Sequence, residues 1–274
     1  MEMMKMFKGA DISKHNGKID FSIIKNQLDF IILRAAYRGI TYRKIYTDEK
    51  FFDNIEQINE MNIPVGLYIY STAVNESEAI KEAEYCLSLA KNYRITYPII
   101  IDIEDETNQG CLSKQELTNI IKAFCETIEN NNYYAMFYCS KYWYTTKLDS
   151  QALKKYDRWI AQWEAKECEI DCGIWQYTSK GKIVGISGSV DLNYSYKNYP
   201  LIIKNNELNK IKNRTYEVGD KVSFDRCYIS SDSDISLSSL YHSGIITKII
   251  PGAKNPYLIG DGICWVRESD IKNI

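Results

Sequence analysis

The sequence predicts an α/β protein: a barrel of β/α units whose last part is mostly strand, followed by a small all-β barrel. Three observations predict it. Short apolar runs alternate with amphipathic stretches through five strand–helix units, the pattern of a parallel sheet with helical crossovers. After Asp157 the helical stretches stop and strand-like runs follow one another. From Tyr216 onward the runs are shorter still, as in a small β domain. An open doubly wound sheet is the alternative for the first part.

The elements follow in order. Strands are predicted at Phe7–Ser13, Asp29–Tyr37, Pro64–Ser71, Pro98–Glu104 and Tyr133–Ser140, each a short run rich in apolar residues. Helices are predicted near Phe21–Gln27, Asp48–Met61, Glu76–Asn92 and Lys114–Asn130. In the last of these, Leu117, Ile120, Ile121, Phe124, Cys125 and Ile128 recur at the 3.6-residue period of one helix face. Ser113 with Glu116 reads as a capping box at its start, and Asn75 with Glu78 resembles one at the start of the helix before it. Arg158–Trp163, Gly173–Thr178 and Ile183–Asp191 complete the first domain as strands, placed at residues 1–200. Residues 201–214, rich in Asn and Lys, are assigned as a linker, with Leu201–Lys212 also able to form a short helix. The second domain, 215–274, has strands at Lys221–Phe224, Ser243–Ile250, Tyr257–Ile259 and Ile263–Val266, and an exposed loop at Ser230–Ser239.

Composition narrows the function. The 274 residues carry a net charge of −2, with no pull toward nucleic acid or anionic lipid. No segment approaches the length of a membrane span. The 22 tyrosines and 5 tryptophans serve packing first, and a sugar-binding groove second. Eight cysteines tempt a disulfide reading, but the chain is long enough for a real core and its N-terminus has no apolar signal region. Cys86 and Cys125 fall on apolar helix faces; Cys168 and Cys172 lack the second Cys or His pair that zinc requires. With two histidines and no G-x-S-x-G or phosphate-binding glycine loop, serine-hydrolase, metal and nucleotide chemistry are disfavoured, and no cofactor is expected.

The chemistry lies in carboxylates. In Ile99–Glu106 an apolar strand ends in Asp102 and Glu104, which strand alternation points the same way. Acids beside isoleucines are costly, and the usual gain is a tuned proton affinity. Barrel active sites gather at the C-terminal ends of the strands. Asp11 at the end of the first, Asp102 and Glu104 at the fourth and Asp191 at the last meet that expectation. Each alone has an ordinary explanation in a cap, an Asx turn or a solvated cluster; together they favour function. Asp105 and Glu106 are taken as solvated neighbours. Such a cluster suits glycosidic hydrolysis or a Mg²⁺ or Ca²⁺ site, and the nearby aromatic residues favour sugar.

Ordered motifs carry a resemblance. Gly9–Asp20, Ile32–Ala36, Pro64–Tyr68, the Asp102-Ile103-Glu104 triplet, Trp159–Trp163, Ile174–Thr178 and Gly185–Asn193 resemble glycoside hydrolase family 25 lysozymes over roughly residues 7–200. The resemblance implies a distorted β/α barrel and N-acetylmuramidase activity on peptidoglycan. It implies Glu104 as general acid/base, Asp102 as stabiliser of developing positive charge or of a substrate acetamido group, and Asp11 and Asp191 as the rest of an acidic centre. Substrate contacts are expected from Arg34, Tyr68, Tyr138, Trp163, Trp175 and Gln176. Tyr216–Val222 and Trp265–Ile271 resemble the first and last strands of bacterial SH3-like cell-wall modules.

This combination resembles a phage endolysin, made in the bacterial cytoplasm and released to the wall through a membrane hole made by another protein. Its expected partner is bacterial peptidoglycan. Oligomeric state, host and the ligand of the second domain are not legible. The rival readings are a glycosidase-like barrel that grips wall glycan without cutting it, and a hydrolase of another polysaccharide such as chitin.

Overall fold

A computed structural model describes residues 6–209, 216–237 and 242–272. Expectations placed on Met1–Lys5, on 210–215 and on Ser238–Ser239 lie outside the described residues. The chain divides into two compact units, Met1–Lys210 and Ile211–Ile274.

The first unit is a closed barrel. Its strands are β1 (Phe7–Ile12), β2 (Phe30–Arg38), β4 (Val65–Ser71), β5 (Ile99–Ile103), β6 (Ala135–Ser140), β7 (Asp157–Ala161), β8 (Ile174–Gly181) and β9 (Val190–Ser195). Neighbours run β1-β9-β8-β7-β6-β5-β4-β2, and β1 pairs in parallel with β2 to close the ring, which excludes the open sheet. A short β3 (Ile45–Thr47) extends β2 antiparallel. Helices α1 (Phe21–Ile24), α2 (Phe51–Glu60), α3 (Glu76–Ala90), α4 (Lys114–Asn130) and α5 (Lys141–Thr146) follow β1, β3, β4, β5 and β6.

The strand residues alternate between two cores, as period-2 geometry demands. Phe30, Ile32, Ile100, Met136, Trp159 and Ile174 fill the barrel interior. Ile31, Leu33, Ile99, Ile101 and Phe137 face outward against the helices. The six apolar α4 positions are all buried there, and Ser113 and Glu116 form the expected reciprocal cap. At α3 only half of the expected box forms: Asn75 accepts from the Glu78 N–H, but Glu78 accepts from Val74 N–H and pairs with Arg43 instead.

Four expectations need correction. The segment Ile183–Asp191 is not a strand; it is a loop until Val190, turned by Gly185 and Gly188 at φ 99° and 81°. Its buried Ile183 and Ile186 anchor that loop. The fifth helix, α5, is capped by Ser140 but built from Tyr, Trp and Thr, so propensity conceals it. The helix predicted near Phe21–Gln27 ends at Ile24, though single turns continue to Leu28. Residues assigned to a linker belong to the barrel through Asn209. Here α6 (Tyr199–Asn205) packs Tyr199 and Ile203 into the barrel's lower end. Asn209 then accepts from Tyr134 N–H at 2.8 Å and donates to the Tyr97 carbonyl at 3.1 Å.

A buried ion pair braces the opposite, upper rim. Arg38 Nε meets Glu82 Oε1 at 2.5 Å, and Ser71 Oγ donates to Glu82 Oε2 at 2.6 Å. The same guanidinium donates to the Arg43 and Glu78 carbonyls, tying the β2–β3 turn to α3. Burial pushes the Glu82 carboxyl up to about 7 despite its partner. Arg38→Met strands that carboxyl, and a loss of about 3 kcal/mol is expected, the low end for a broken buried pair because Glu82 can take up a proton. Urea unfolding at pH 8 measures it.

The second unit contains β10 (Lys221–Phe224), β11 (Cys227–Tyr228), β12 (Ser236–Leu237), β13 (Ser243–Ile249), β14 (Tyr257–Ile259), β15 (Cys264–Val266) and β16 (Ile271–Lys272). They form one antiparallel sheet ordered β12-β11-β15-β14-β13-β10-β16. The expected Ser230–Ser239 loop thus contains the short β12. Val222, Phe224, Ile246, Tyr257, Ile259 and Val266 make a separate small core.

Candidate active site

The barrel's inward-facing rows change from apolar to polar as they rise. On β2 the row reads Phe30, Ile32, Arg34; on β5, Ile100 then Asp102; on β8, Ile174 then Gln176. The mouth is therefore lined by groups that the same alternation buries as hydrocarbon one turn of the pleat lower.

Asp11 and Asp191 face each other in register across the β1–β9 pair, and their side chains are hydrogen-bonded. Asp191 reaches the mouth from the start of an antiparallel strand, not from the C-terminal end of a parallel one. Asp11 Oδ2 also accepts from Asn193 Nδ2 at 2.8 Å and Gln176 Nε2 at 3.0 Å. Burial, then the Asp191 charge, pushes the Asp11 carboxyl up to about 7. Burial raises Asp191 as well. Two carboxyls this close disfavour a second charge, so Asp11 keeps its proton up to about pH 7.

Asp102 lies between Tyr70 and Tyr138 in the sheet register. It is 5% exposed, and its Oδ1 has no hydrogen-bond partner within the protein. Burial raises its proton affinity well above the usual, reinforced by Glu104 and Asp11 and opposed by Arg34. Glu104 follows one pleat later, open to solvent but walled by the cleft on most sides. Its carboxyl is raised by burial and by Asp191 and Asp105, while a hydrogen bond from Tyr138 opposes the shift. The structure thus gathers all four predicted carboxylates at one mouth, each with raised proton affinity.

Of the expected contact residues, five converge on this mouth. Arg34 is oriented by a 2.7 Å bond from Nε to Asp48, and its Nη2 has no partner within the protein. Tyr68 lies within the field of Asp11, Asp102 and Arg34. Gln176 Oε1 accepts from Tyr138 Oη at 3.2 Å and from Trp163 Nε1 at 3.0 Å. Trp163 itself is 52% exposed, a flat ring at the edge of the cleft.

Trp175 does not converge. It neighbours Gln176 on β8, so the two must face opposite sides of the sheet. Trp175 packs outside the barrel near Tyr177 and Tyr194, and its indole donates to the Gln162 carbonyl at 2.8 Å. Asp105 is also misjudged as solvated: it is 3% exposed and accepts from Asn108 N, Asn108 Nδ2 and Tyr70 Oη. Glu106 is exposed as expected, and accepts from Trp143 Nε1.

The model of Glycosyl hydrolases family 25 matches residues 10–186, well over half of the chain. The chain belongs to family 25. The family match ends before Asp191 and Asn193, which only the closed barrel joins to Asp11. The autolytic lysozyme of Clostridium acetobutylicum is 26% identical over 187 residues, covering 68% of this chain and 54% of that protein. The modular autolysin LytC of Streptococcus pneumoniae, solved with a synthetic peptidoglycan ligand, aligns with a TM-score of 0.61 and 29% identity. It covers 69% of this chain and 46% of its own, so this family 25 chain spans about half the length of these relatives. The catalytic domain of endolysin ply40 from a bacteriophage of Listeria monocytogenes shares the fold, with a TM-score of 0.59, 22% identity, 73% of this chain and 98% of its own covered.

Three site residues of this family 25 barrel were not singled out from sequence. Asn193 shares a face with Asp191 two residues away, a signal that alternation offers once the strand is placed correctly. Trp159 donates to Asn193 Oδ1 at 2.8 Å and holds it against Asp11. Asp48 also accepts from the Lys14 and Lys50 backbone N–H groups, but in sequence it resembles only a helix start. Among the described residues no group of three or more His, Cys, Asp and Glu side chains could hold a metal ion, and no helix is long and apolar enough to cross a membrane.

Proposed function

We propose that this chain is an N-acetylmuramidase that cleaves the β-1,4 bond between N-acetylmuramic acid and N-acetylglucosamine in bacterial peptidoglycan. The observation that carries the reading is the convergence of four carboxyls of raised proton affinity at one open barrel mouth. A glycosidic oxygen leaves only when protonated, and Glu104 is the member of the cluster that reaches the open cleft. Partial burial, with the Asp191 and Asp105 charges, raises its proton affinity, the direction a general acid requires. The anions that remain stabilise an oxocarbenium-like transition state. Asp102 Oδ1, buried without a partner, is assigned to the N–H of the substrate's acetamido group. Trp163 is assigned to a sugar face, and Arg34 Nη2 to a substrate oxygen.

The barrel is further assigned to an endolysin acting in bacterial lysis. Eight free thiols suit synthesis in a reducing cytoplasm, with release to the wall through a membrane hole made by another protein. The second unit is assigned as an SH3-like wall-binding domain, a reading supported by its small antiparallel sheet and own core. Tethering then raises the substrate concentration seen by the barrel.

Digestion of purified peptidoglycan, borohydride reduction and identification of the reduced sugar test the bond assignment. The muramic acid alcohol is expected. A glucosamine alcohol rejects the assigned bond, and binding without new reducing ends identifies a non-catalytic binder.

Tyr138 offers a finer test. Its hydroxyl donates to Gln176 Oε1 at 3.2 Å and, turned toward Glu104, opposes the rise of that carboxyl's proton affinity. Donation to Glu104 favours the carboxylate. Tyr138→Phe is therefore expected to raise the Glu104 proton affinity and shift the alkaline limb of the pH–rate profile upward, by about half a pH unit or more. A downward shift contradicts the assigned acid.

A further inference from the structure

We propose that Cys168 and Cys172 form an oxidisable dithiol, which small-molecule disulfides convert to a disulfide that braces the loop carrying Trp163. The two sulfurs lie 3.5 Å apart, whereas every other cysteine of the barrel stands alone. A disulfide needs about 2.05 Å, so bonding requires a sulfur displacement of roughly 1.5 Å. Both residues belong to the segment between β7 and β8, which also holds Gln162 and Trp163.

The two thiols are unequal, as attack and resolution require. Cys168 is partly exposed and Cys172 is buried. The Cys172 thiol donates to the Cys168 sulfur, and the Ile170 N–H does so as well. These bonds, with Lys141, hold the Cys168 thiol down to about 7 against burial and Glu169. Its neighbour's hydrogen bond and burial raise Cys172, with Asp157 adding to the shift and Arg158 opposing it. Cys86, Cys125 and Cys139 are buried, and burial raises each thiol. Cys111 is exposed but has no second thiol.

The step balances with a disulfide oxidant, R–S–S–R. The Cys168 thiolate bonds to one sulfur of the oxidant, breaking its S–S bond and releasing R–S⁻, which takes up a proton. The Cys172 sulfur, after giving its proton to solvent, attacks Cys168 Sγ and expels the second R–S⁻. Two protein thiols lose two electrons and two protons in total, and two R–SH form.

The consequence follows from Glu169, which lies between the two cysteines. Its backbone N–H donates to Gln162 Oε1 at 3.0 Å, and its carboxylate accepts from Gln162 Nε2 and pairs with Lys141, both at 2.6 Å. Closing the ring around Glu169 fixes this clasp, and with it the residue preceding Trp163. The effect on the loop does not depend on the bond specificity proposed above.

Equilibrating the full chain with oxidised glutathione, alkylating the remaining thiols and mapping peptides by mass tests the proposal. The expected product has lost two hydrogens, located between Cys168 and Cys172. Cys172→Ser is expected to trap glutathione on Cys168 at least tenfold faster than on Cys111, and Cys168→Ser to leave Cys172 unmodified. Tryptic cleavage at Lys166 in the oxidised parent is expected to slow several-fold. Modification at Cys111 alone, or a cross-link confined to Cys227 and Cys264 in the second unit, overturns the site. Equal cleavage rates before and after oxidation overturn the bracing.

Discussion

Replacing Glu104 with glutamine is expected to lower the rate of wall lysis by at least about a thousandfold, the scale of losing a positioned general acid. Its Tm should stay within about two degrees of the parent. The two expectations have one cause. Glu104 reaches solvent, but the cleft walls desolvate it in part and Asp191 and Asp105 crowd it, so its charge is disfavoured in the folded chain. An uncharged amide of the same shape relieves that crowding, but it holds no proton to give a leaving oxygen. A variant keeping more than a tenth of the parent activity, measured by reducing-end release, rejects Glu104 as the acid. Asp105 supplies the contrast. Its carboxylate organises the turn through Asn108, so Asp105→Ala should act first on stability, whereas Glu106→Gln should change little.

Asp11→Asn is expected to separate stability from activity in the opposite direction. The Asp11 carboxyl titrates near 3.8 in the unfolded chain and is raised to about 7 in the folded one. The folded state therefore retains a proton that the unfolded chain releases across that window. The stability this contributes is fully present below pH 3.8 and is lost as the pH rises through about 7. Asparagine mimics the protonated acid: its oxygen still accepts from Asn193 and Gln176, and its amide donates to Asp191. A gain of roughly 1–3 kcal/mol at pH 8 is expected, less than the full linkage value because Asp191 shares the proton. At pH 8, where the parent carries the Asp11 charge, activity should fall about a hundredfold with the lost anion. Denaturant unfolding at pH 4 and pH 8 tests this: the gain should vanish at the lower pH, and a variant destabilised at pH 8 contradicts the shared proton.

Both predictions arise from a constraint that natural sequences meet repeatedly. A catalytic cluster of acids is a local violation of good packing, tolerated because the rest of the barrel over-determines it. Here the bracing is visible in Trp159 holding Asn193, in Asp48 holding Arg34 and in the Arg38–Glu82 pair beneath the rim.

The sequence by itself determined the local features. Hydrophobic period announced α4 with its cap, and short apolar runs announced β2, β5 and β6, because these depend on residues a few positions apart. It also exposed the Asp102–Glu104 pair, since two acids on one face of an isoleucine strand conflict with burial wherever that strand lies. Tertiary structure decided what depends on distant segments. The meeting of Asp11 with Asp191 requires β9 to run antiparallel beside β1. The outward turn of Trp175 follows from the parity set by Gln176, which only the barrel's closure assigns to the interior. The burial of Asp105 requires Tyr70 from another strand, and the 3.5 Å approach of Cys168 and Cys172 requires a loop whose shape no periodicity encodes. Periodicity reports which face a residue occupies, while proton affinity and reactivity depend on which other chain segments reach that face.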